Sequence, residues 1–139
     1  MTTSLSRRTL VMAGAGLCTT PLLVACAARP QLAQPVSVGA LFAGRVDDKG
    51  FMESGWRGLE RARTELGAQT TFIDRIEPKK ELLVAALTQL AQSGVALVVA
   101  HGGQNNEACA EVAARFPAVK FVVTQGAVTA PNLASYDVL

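Results

Sequence analysis

Continuous apolar runs of strand length recur along the chain from residue 36 onward. Runs of this kind are typical of strands that are buried on both faces of a sheet. Two further stretches are shorter or weaker, one of them rich in β-branched and aromatic residues. The pattern predicts five strands in all, at residues 36–42, 69–73, 95–100, 119–123 and 133–138.

The segments between the strands have helical periodicity. After the first strand, apolar residues recur every three or four positions: Phe51, Gly55, Leu59, Ala62 and Leu66. Gly67 then predicts the end of that helix. Pro78 predicts the first residue of a second helix, which Gly94 ends, and a third helix covers residues 107–116 before Pro117.

Strand and helix therefore alternate, which predicts an α/β domain with a parallel sheet and helices on both faces. The length of 139 residues matches one ordinary domain. In such a sheet, ligands bind beyond the carboxyl ends of the strands. The loops after strands one, three and four are consequently where a site is expected.

Those three loops carry the candidate ligand-binding residues. Polar and glycine positions there are Asp47, Asp48 and Lys49, then His101, Gly102, Gln104, Asn105 and Asn106, then Thr124 and Gln125. Helix capping is an equally good explanation for Asp47, Asp48, Asn105 and Asn106. A single histidine at a strand end, His101, is also typical of an ordinary polar loop residue.

The first 25 residues have the features of an export signal. Arg7 and Arg8 precede a charge-free apolar stretch that is too short and too interrupted for a membrane span. It ends in Leu-Val-Ala-Cys, which resembles a bacterial lipobox, so Cys26 is the expected lipid acceptor. Residues 26–35 then form a tether and residues 36–139 the folded domain. The alternative is a buried cysteine in an ordinary N-terminal helix.

Charge and residue content exclude several kinds of chemistry. Arg7 and Arg8 account for the formal net charge of +2, so the remaining chain is neutral and offers no footprint for nucleic acid. Histidine and cysteine pairs at metal-ligand spacing are absent, and no metal or cofactor is expected. No nucleophile, base and orienting acid occur together, so we expect no catalytic residues. Cys109 lies on an apolar helical stretch and is expected to be a core residue.

One segment carries a specific resemblance. Residues 47–58 read DDKGFMESGWRG, which resembles the signature of the basic membrane protein family. The similarity continues through residues 91–100, 112–121 and 131–136, in order. Members of that family are lipid-anchored substrate-binding proteins of ABC importers, and the group includes purine nucleoside receptors.

The resemblance implies a type I periplasmic-binding fold, in which two α/β lobes close on a small-molecule ligand. This chain resembles the N-terminal lobe only, so we expect a truncated receptor that lacks the second lobe. It also implies a location at the cell envelope, an ABC permease as partner, and a nucleoside or similar planar solute as ligand.

The site residues implied by the resemblance are matched only in part. Phe51 stands where the nucleoside receptors place the phenylalanine that stacks on the base. Met52 replaces the following asparagine, and Phe42 replaces an aspartate nine positions earlier. Gln104 or Asn105, with Gln125, remain to orient a ligand. Phe51 could instead be the first core residue of its helix, and Trp56 is expected to be a core residue.

Two other functions remain open at the level of sequence. One is an envelope hydrolase that uses Asp48 or His101 as a base. The other is a lipid-anchored sensor or adhesin that contacts a partner protein without any role in transport.

Overall fold

The structure is a computed structural model that describes residues 34–137. The predicted signal segment, the predicted lipid acceptor Cys26 and most of the predicted tether lie outside the described residues. Between residues 34 and 137, no helix is both long enough and apolar enough to cross a bilayer.

Five strands and three α-helices alternate along the described chain. The elements are β1 (Ser37–Phe42), α1 (Phe51–Leu66), β2 (Gln69–Ile73), α2 (Lys80–Gln92), β3 (Leu97–His101), α3 (Asn106–Arg115), β4 (Lys120–Thr124) and β5 (Leu133–Tyr136). A single 3-10 turn, Gly103–Asn105, leads into α3.

The strands form one sheet in the order β2-β1-β3-β4-β5, and all four pairings are parallel. The crossover between β2 and β3 takes the chain past β1, so the strand order changes direction beside β1. The crevice at such a reversal is the usual ligand position in open α/β sheets. The predicted α/β class and parallel sheet are confirmed.

Side chains of β1 and β3 alternate between two apolar cores. On one face, Leu41 and Val98 pack with α2 and α3 in the larger core. On the other face, Val38 and Phe42 pack with Leu59 of α1 in a smaller core. The predicted placement of helices on both faces is therefore confirmed, with one helix on one side and two on the other.

Most predicted element boundaries agree with the structure within one or two residues, and one prediction about a helix start is wrong. Gly67 ends α1 in the left-handed conformation, as predicted. Pro78 is not the first residue of α2, which begins at Lys80 because Lys79 has an extended backbone. Proline fixes its own φ but leaves the next residue free to be extended.

Candidate functional site

The carboxyl ends of four strands place four side chains in one row. The strand register pairs Phe42 with His101, His101 with Thr124, and Thr124 with Tyr136. The row crosses β1, β3, β4 and β5 at the edge where the sequence predicted a site. The loops after β1, β3 and β4 therefore do meet at one edge of the sheet.

An apolar groove of about 790 Å³ runs beside α1 over this face of the sheet. The end of the groove near the carboxyl ends of the strands, called its carboxyl end, is lined by this row of four side chains and by the first turn of α1. Its other end, near the amino ends of the strands, is aliphatic and includes Val36, just before β1, and Leu66 of α1. The groove lining includes Val36, Phe42, Phe51, Leu66, His101, Gln125 and Tyr136.

Aromatic rings cluster at the carboxyl end of the groove. The Phe51 and His101 rings are stacked, with centroids 4.0 Å apart and planes inclined by 20°. The His101 ring also meets the Phe42 ring edge to face at 5.6 Å. Phe51 is 38% exposed and Phe42 only 1%. Phe51 therefore presents an accessible ring, whereas Phe42 is buried and contacts the His101 ring.

Both ring nitrogens of His101 have protein partners. Nε2 lies 2.9 Å from the carbonyl oxygen of Phe51, and Nδ1 lies 2.9 Å from Thr124 Oγ1. Since a carbonyl oxygen can only accept, Nε2 carries the hydrogen, and Nδ1 of the neutral ring accepts from the Thr124 hydroxyl. Thr124 Oγ1 in turn accepts from the backbone N–H of Gly102 at 3.0 Å.

The environment of His101 favours the neutral ring. Burial lowers the pKa of His101 from its ordinary value, and this effect exceeds the opposing influences of the Phe51 carbonyl and the Asp48 carboxylate. The side chain is 8% exposed. Its polar atoms are thus engaged within the protein, in contrast to the predicted role of a polar ligand contact.

Gly55 of α1 makes room for the imidazole. A Cβ atom at this position would lie 2.6 Å from His101 Nε2, which is well inside van der Waals contact. The absent side chain therefore lets the helix approach β3 closely enough for the Phe51 carbonyl to meet His101.

Asp48 caps the first turn of α1. Its Oδ1 accepts from the backbone N–H groups of Gly50 at 2.8 Å and Glu53 at 3.0 Å, and its Oδ2 accepts from Met52 N–H at 3.1 Å. These bonds, that from Glu53 foremost, lower the pKa of the Asp48 carboxyl. The carboxylate favours the positive end of the helix dipole. Asp48 does not line the groove, so of the two explanations offered by the sequence the geometry fits capping.

Four other predicted site residues also lie off the groove lining. Met52 packs in the smaller core and faces Gly44. Gln104 Nε2 donates to the His101 carbonyl at 3.2 Å. Asn105 is fully buried, and its Nδ2 donates to the carbonyls of His101 and Gly102.

Gly102 itself is buried at a φ of 105°, a conformation that favours glycine. It turns the chain between β3 and the 3-10 turn. Of the nine predicted ligand-binding residues, the groove therefore brings together four: Phe42, Phe51, His101 and Gln125.

The loop before α1 opens onto a different hollow. This depression of about 570 Å³ is lined by Lys49, Glu53, Trp56 and Arg57, among others. Trp56 also packs against the smaller core. The signature segment thus contributes to two surfaces, and Phe51 is its contribution to the groove.

Two chemical expectations concern metal ions and the thiol. Within residues 34–137 there is no group of three or more His, Cys, Asp or Glu side chains that could hold a metal ion. Cys109 is fully buried, which confirms the predicted core position. Burial raises the pKa of its thiol to about 12, so the nucleophilic thiolate is disfavoured.

Sequence reasoning missed Tyr136, Gly55 and the aliphatic end of the groove formed by Val36 and Leu66. Tyr136 could have been predicted from the sequence, because the carboxyl end of a fifth parallel strand lies at the same edge of the sheet. Gly55 lies within the signature segment, but its role depends on the position of His101. That contact joins residues far apart in sequence and has no local signal.

A groove at the carboxyl edge of an open parallel α/β sheet, beside the reversal of strand order, is a usual position for a small-molecule site. The family model for "ABC transporter substrate-binding protein PnrA-like" proteins, Bmp, matches residues 35–137. The chain belongs to this family, and it corresponds to the N-terminal lobe.

Solved structures of solute-binding proteins are similar to the chain. One is an ABC transporter system solute-binding protein from Conexibacter woesei DSM 14684, with a TM-score of 0.66 and 26% identity over 73% of this chain and 35% of that one. Another, from Aeropyrum pernix K1, has a TM-score of 0.64 and 30% identity over 73% of this chain and 28% of that one.

A third structure shares the fold. It is a transcriptional activator of the comK gene from Bacillus halodurans, with a TM-score of 0.62 and 23% identity over 71% of this chain and 33% of that one. The chain spans about a third of the length of these three proteins.

Proposed function

We propose that this chain is the ligand-capturing N-terminal lobe of a lipid-anchored receptor, which takes up a nucleoside or a similar planar solute and delivers it to an ABC permease. Membership of a solute-binding family supports the general role. The ligand class rests chiefly on one observation, the half-exposed Phe51 ring at the carboxyl end of an apolar groove.

A planar solute fits the chemistry of that end of the groove. One face of Phe51 is covered by His101, so the other face is the one a base can stack on. Stacking of a base on an aromatic side chain contributes about 1–3 kcal/mol. Gln125 and Tyr136 add amide and hydroxyl groups to the lining, and these would orient the polar edge of the solute.

The lipid anchor is part of the same proposal. It is supported by the sequence Leu23 to Cys26 and the charge-free stretch before it. A diacylglycerol on Cys26, together with an amide-linked chain, would hold the lobe at the membrane surface without a spanning helix. Incorporation of labelled palmitate into the natural protein, with none into a Cys26→Ala variant, is the expected result.

Isothermal calorimetry on the full-length protein with adenosine, guanosine, inosine, cytidine and uridine tests the ligand class. We expect saturable heat with at least one of the five. Phe51→Ala should weaken that affinity about tenfold or more, because the stacking contact is lost. Phe72→Ala is the control for the loss of an exposed phenylalanine ring. Phe72 is exposed to a similar 41% and does not line the groove; it meets the aromatic cluster only through an edge contact with the buried Phe42 ring, with centroids 6.1 Å apart.

No detectable heat with any of the five compounds would remove nucleosides as the ligand class. Equal losses in the Phe51 and Phe72 variants would contradict the position of the site, because a general loss of packing would then explain both.

A further inference from the structure

His101 joins three elements of the lobe through its ring. Nε2 donates to the Phe51 carbonyl in the first turn of α1, and Nδ1 accepts from Thr124 at the end of β4, while His101 itself ends β3. The ring also stacks on the Phe51 side chain. One imidazole therefore contacts both the backbone and the side chain of the residue on which a solute would stack.

These contacts with His101 restrict the orientation of the Phe51 ring, because one face of that ring is covered. The His101 ring supports it from below, and Phe42 supports His101 edge to face. Gly55 allows the helix to come close, since any side chain there would displace the imidazole. A stacking platform that is held in place loses less conformational entropy when a ligand binds.

We propose that His101 is a positioning residue, which holds Phe51 in the orientation required for stacking and raises ligand affinity through Phe51 instead of by touching the ligand. This inference rests on the proposed function for its ligand. Its structural basis lies within the protein and does not depend on a ligand: the ring stacking, the hydrogen bond to the Phe51 carbonyl and the space left by Gly55.

Double-mutant cycles separate a positioning role from direct contact. In the full-length protein, His101→Leu should weaken affinity for the nucleoside that binds most tightly by about tenfold. In a Phe51→Leu background the same change should alter affinity by no more than about twofold, because no ring remains to be positioned. In a Phe72→Leu background, the matched control, the tenfold loss should persist.

Loss of the same size in all three backgrounds would overturn the proposal, because His101 would then act on the ligand directly or on the whole fold. Unchanged affinity in His101→Leu would overturn it as well. His101→Gln provides a second variant whose amide N–H can still reach the Phe51 carbonyl, and it should bind within about threefold of the natural protein.

Nuclear magnetic resonance tests the same arrangement without a ligand. His101 is the one histidine of the sequence, and in ¹⁵N-histidine-labelled full-length protein its signals are identified by their absence from the His101→Leu variant. We expect the Nε2–H tautomer at neutral pH and nuclear Overhauser contacts between the His101 and Phe51 rings. The Nδ1–H tautomer, or no contact between the rings, would overturn the proposal.

The two proposals can fail separately. A natural protein that binds none of the five nucleosides counts against the ligand class, and the resonance data then decide whether His101 holds Phe51. A protein that binds a nucleoside but shows the wrong tautomer and no ring contact retains its proposed function and loses this inference.

Discussion

Phe51 has one ring face available to a solute, because the other is covered by the His101 imidazole at 4.0 Å. Its own backbone carbonyl is fixed by the same imidazole and also accepts from Ser54 Oγ at 2.7 Å. Backbone and side chain are thus both held. At the scale of single residues, the site is an aromatic surface supported by the protein from one side.

Asp48 supports this surface indirectly, by fixing the turn in which Phe51 lies. Replacing it by Asn puts an amide nitrogen opposite backbone donors, so Asp48→Asn should lower the melting temperature at neutral pH. The control is Asp47→Asn. Although Arg45 lowers the pKa of Asp47 further, to about 2, that pair is exposed and screened by solvent, so we expect a smaller loss.

The pH dependence of this effect has a definite sign. Because the folded pKa of Asp48 lies below 3.8, its contribution is present above pH 3.8 and is lost as the pH falls through the folded value. Asp48→Asn should therefore reduce the acid dependence of stability below pH 3.8. Thermal unfolding across acid pH checks this, and equal melting temperatures at neutral pH for Asp48→Asn and the natural protein would contradict the capping role.

At the scale of elements, the close approach of α1 to the end of β3 depends on one glycine. Gly55→Ala should lower the free energy of unfolding by about 1–3 kcal/mol, because the new methyl group meets the buried imidazole. Gly58→Ala, one turn later in the same helix, meets nothing within 4 Å and should raise it by roughly 0.5–1 kcal/mol.

Denaturant unfolding of both variants measures the difference. Because both changes add the same methyl group to the same helix, helix propensity cancels between them. Equal effects of the two substitutions would contradict the contact between Gly55 and His101.

The sequence predicted the elements well where their signals are local. Apolar runs predicted the buried strands. Gly67 predicted the end of α1, because the C-cap there has a positive φ, which glycine adopts without steric strain. The start of α2 was predicted wrongly at Pro78. An extended Lys79 separates that proline from the helix. Lysine occurs in both extended and helical conformations, so its identity does not predict this extended backbone.

The site was predictable in its position and less so in its members. Parallel strands bring the loops after β1, β3 and β4 together whatever their side chains, which is why Phe51, His101 and Gln125 were placed at one edge. Whether Asp48 faces a ligand or its own helix depends on a few backbone angles. That Asn105 turns inward to the carbonyls of His101 and Gly102 depends on tertiary packing.

At the scale of the whole molecule, the lobe is asymmetric about its sheet. Among residues 34–137, two helices cover one face, whereas α1 alone packs on the other, and the groove lies beside it. The groove continues from Phe51 toward Val36 and Leu66 at the opposite end. Only the carboxyl end combines an aromatic ring with polar groups, so we place the solute there.

The proposed function requires that the solute contact Phe51, and this contact can be measured directly. Nuclear Overhauser contacts between the base protons of the nucleoside that binds most tightly and the full-length protein give its position. We expect contacts to the ring protons of Phe51. Contacts confined to Val36 and Leu66 at the aliphatic end of the groove, with none to Phe51, would contradict the account.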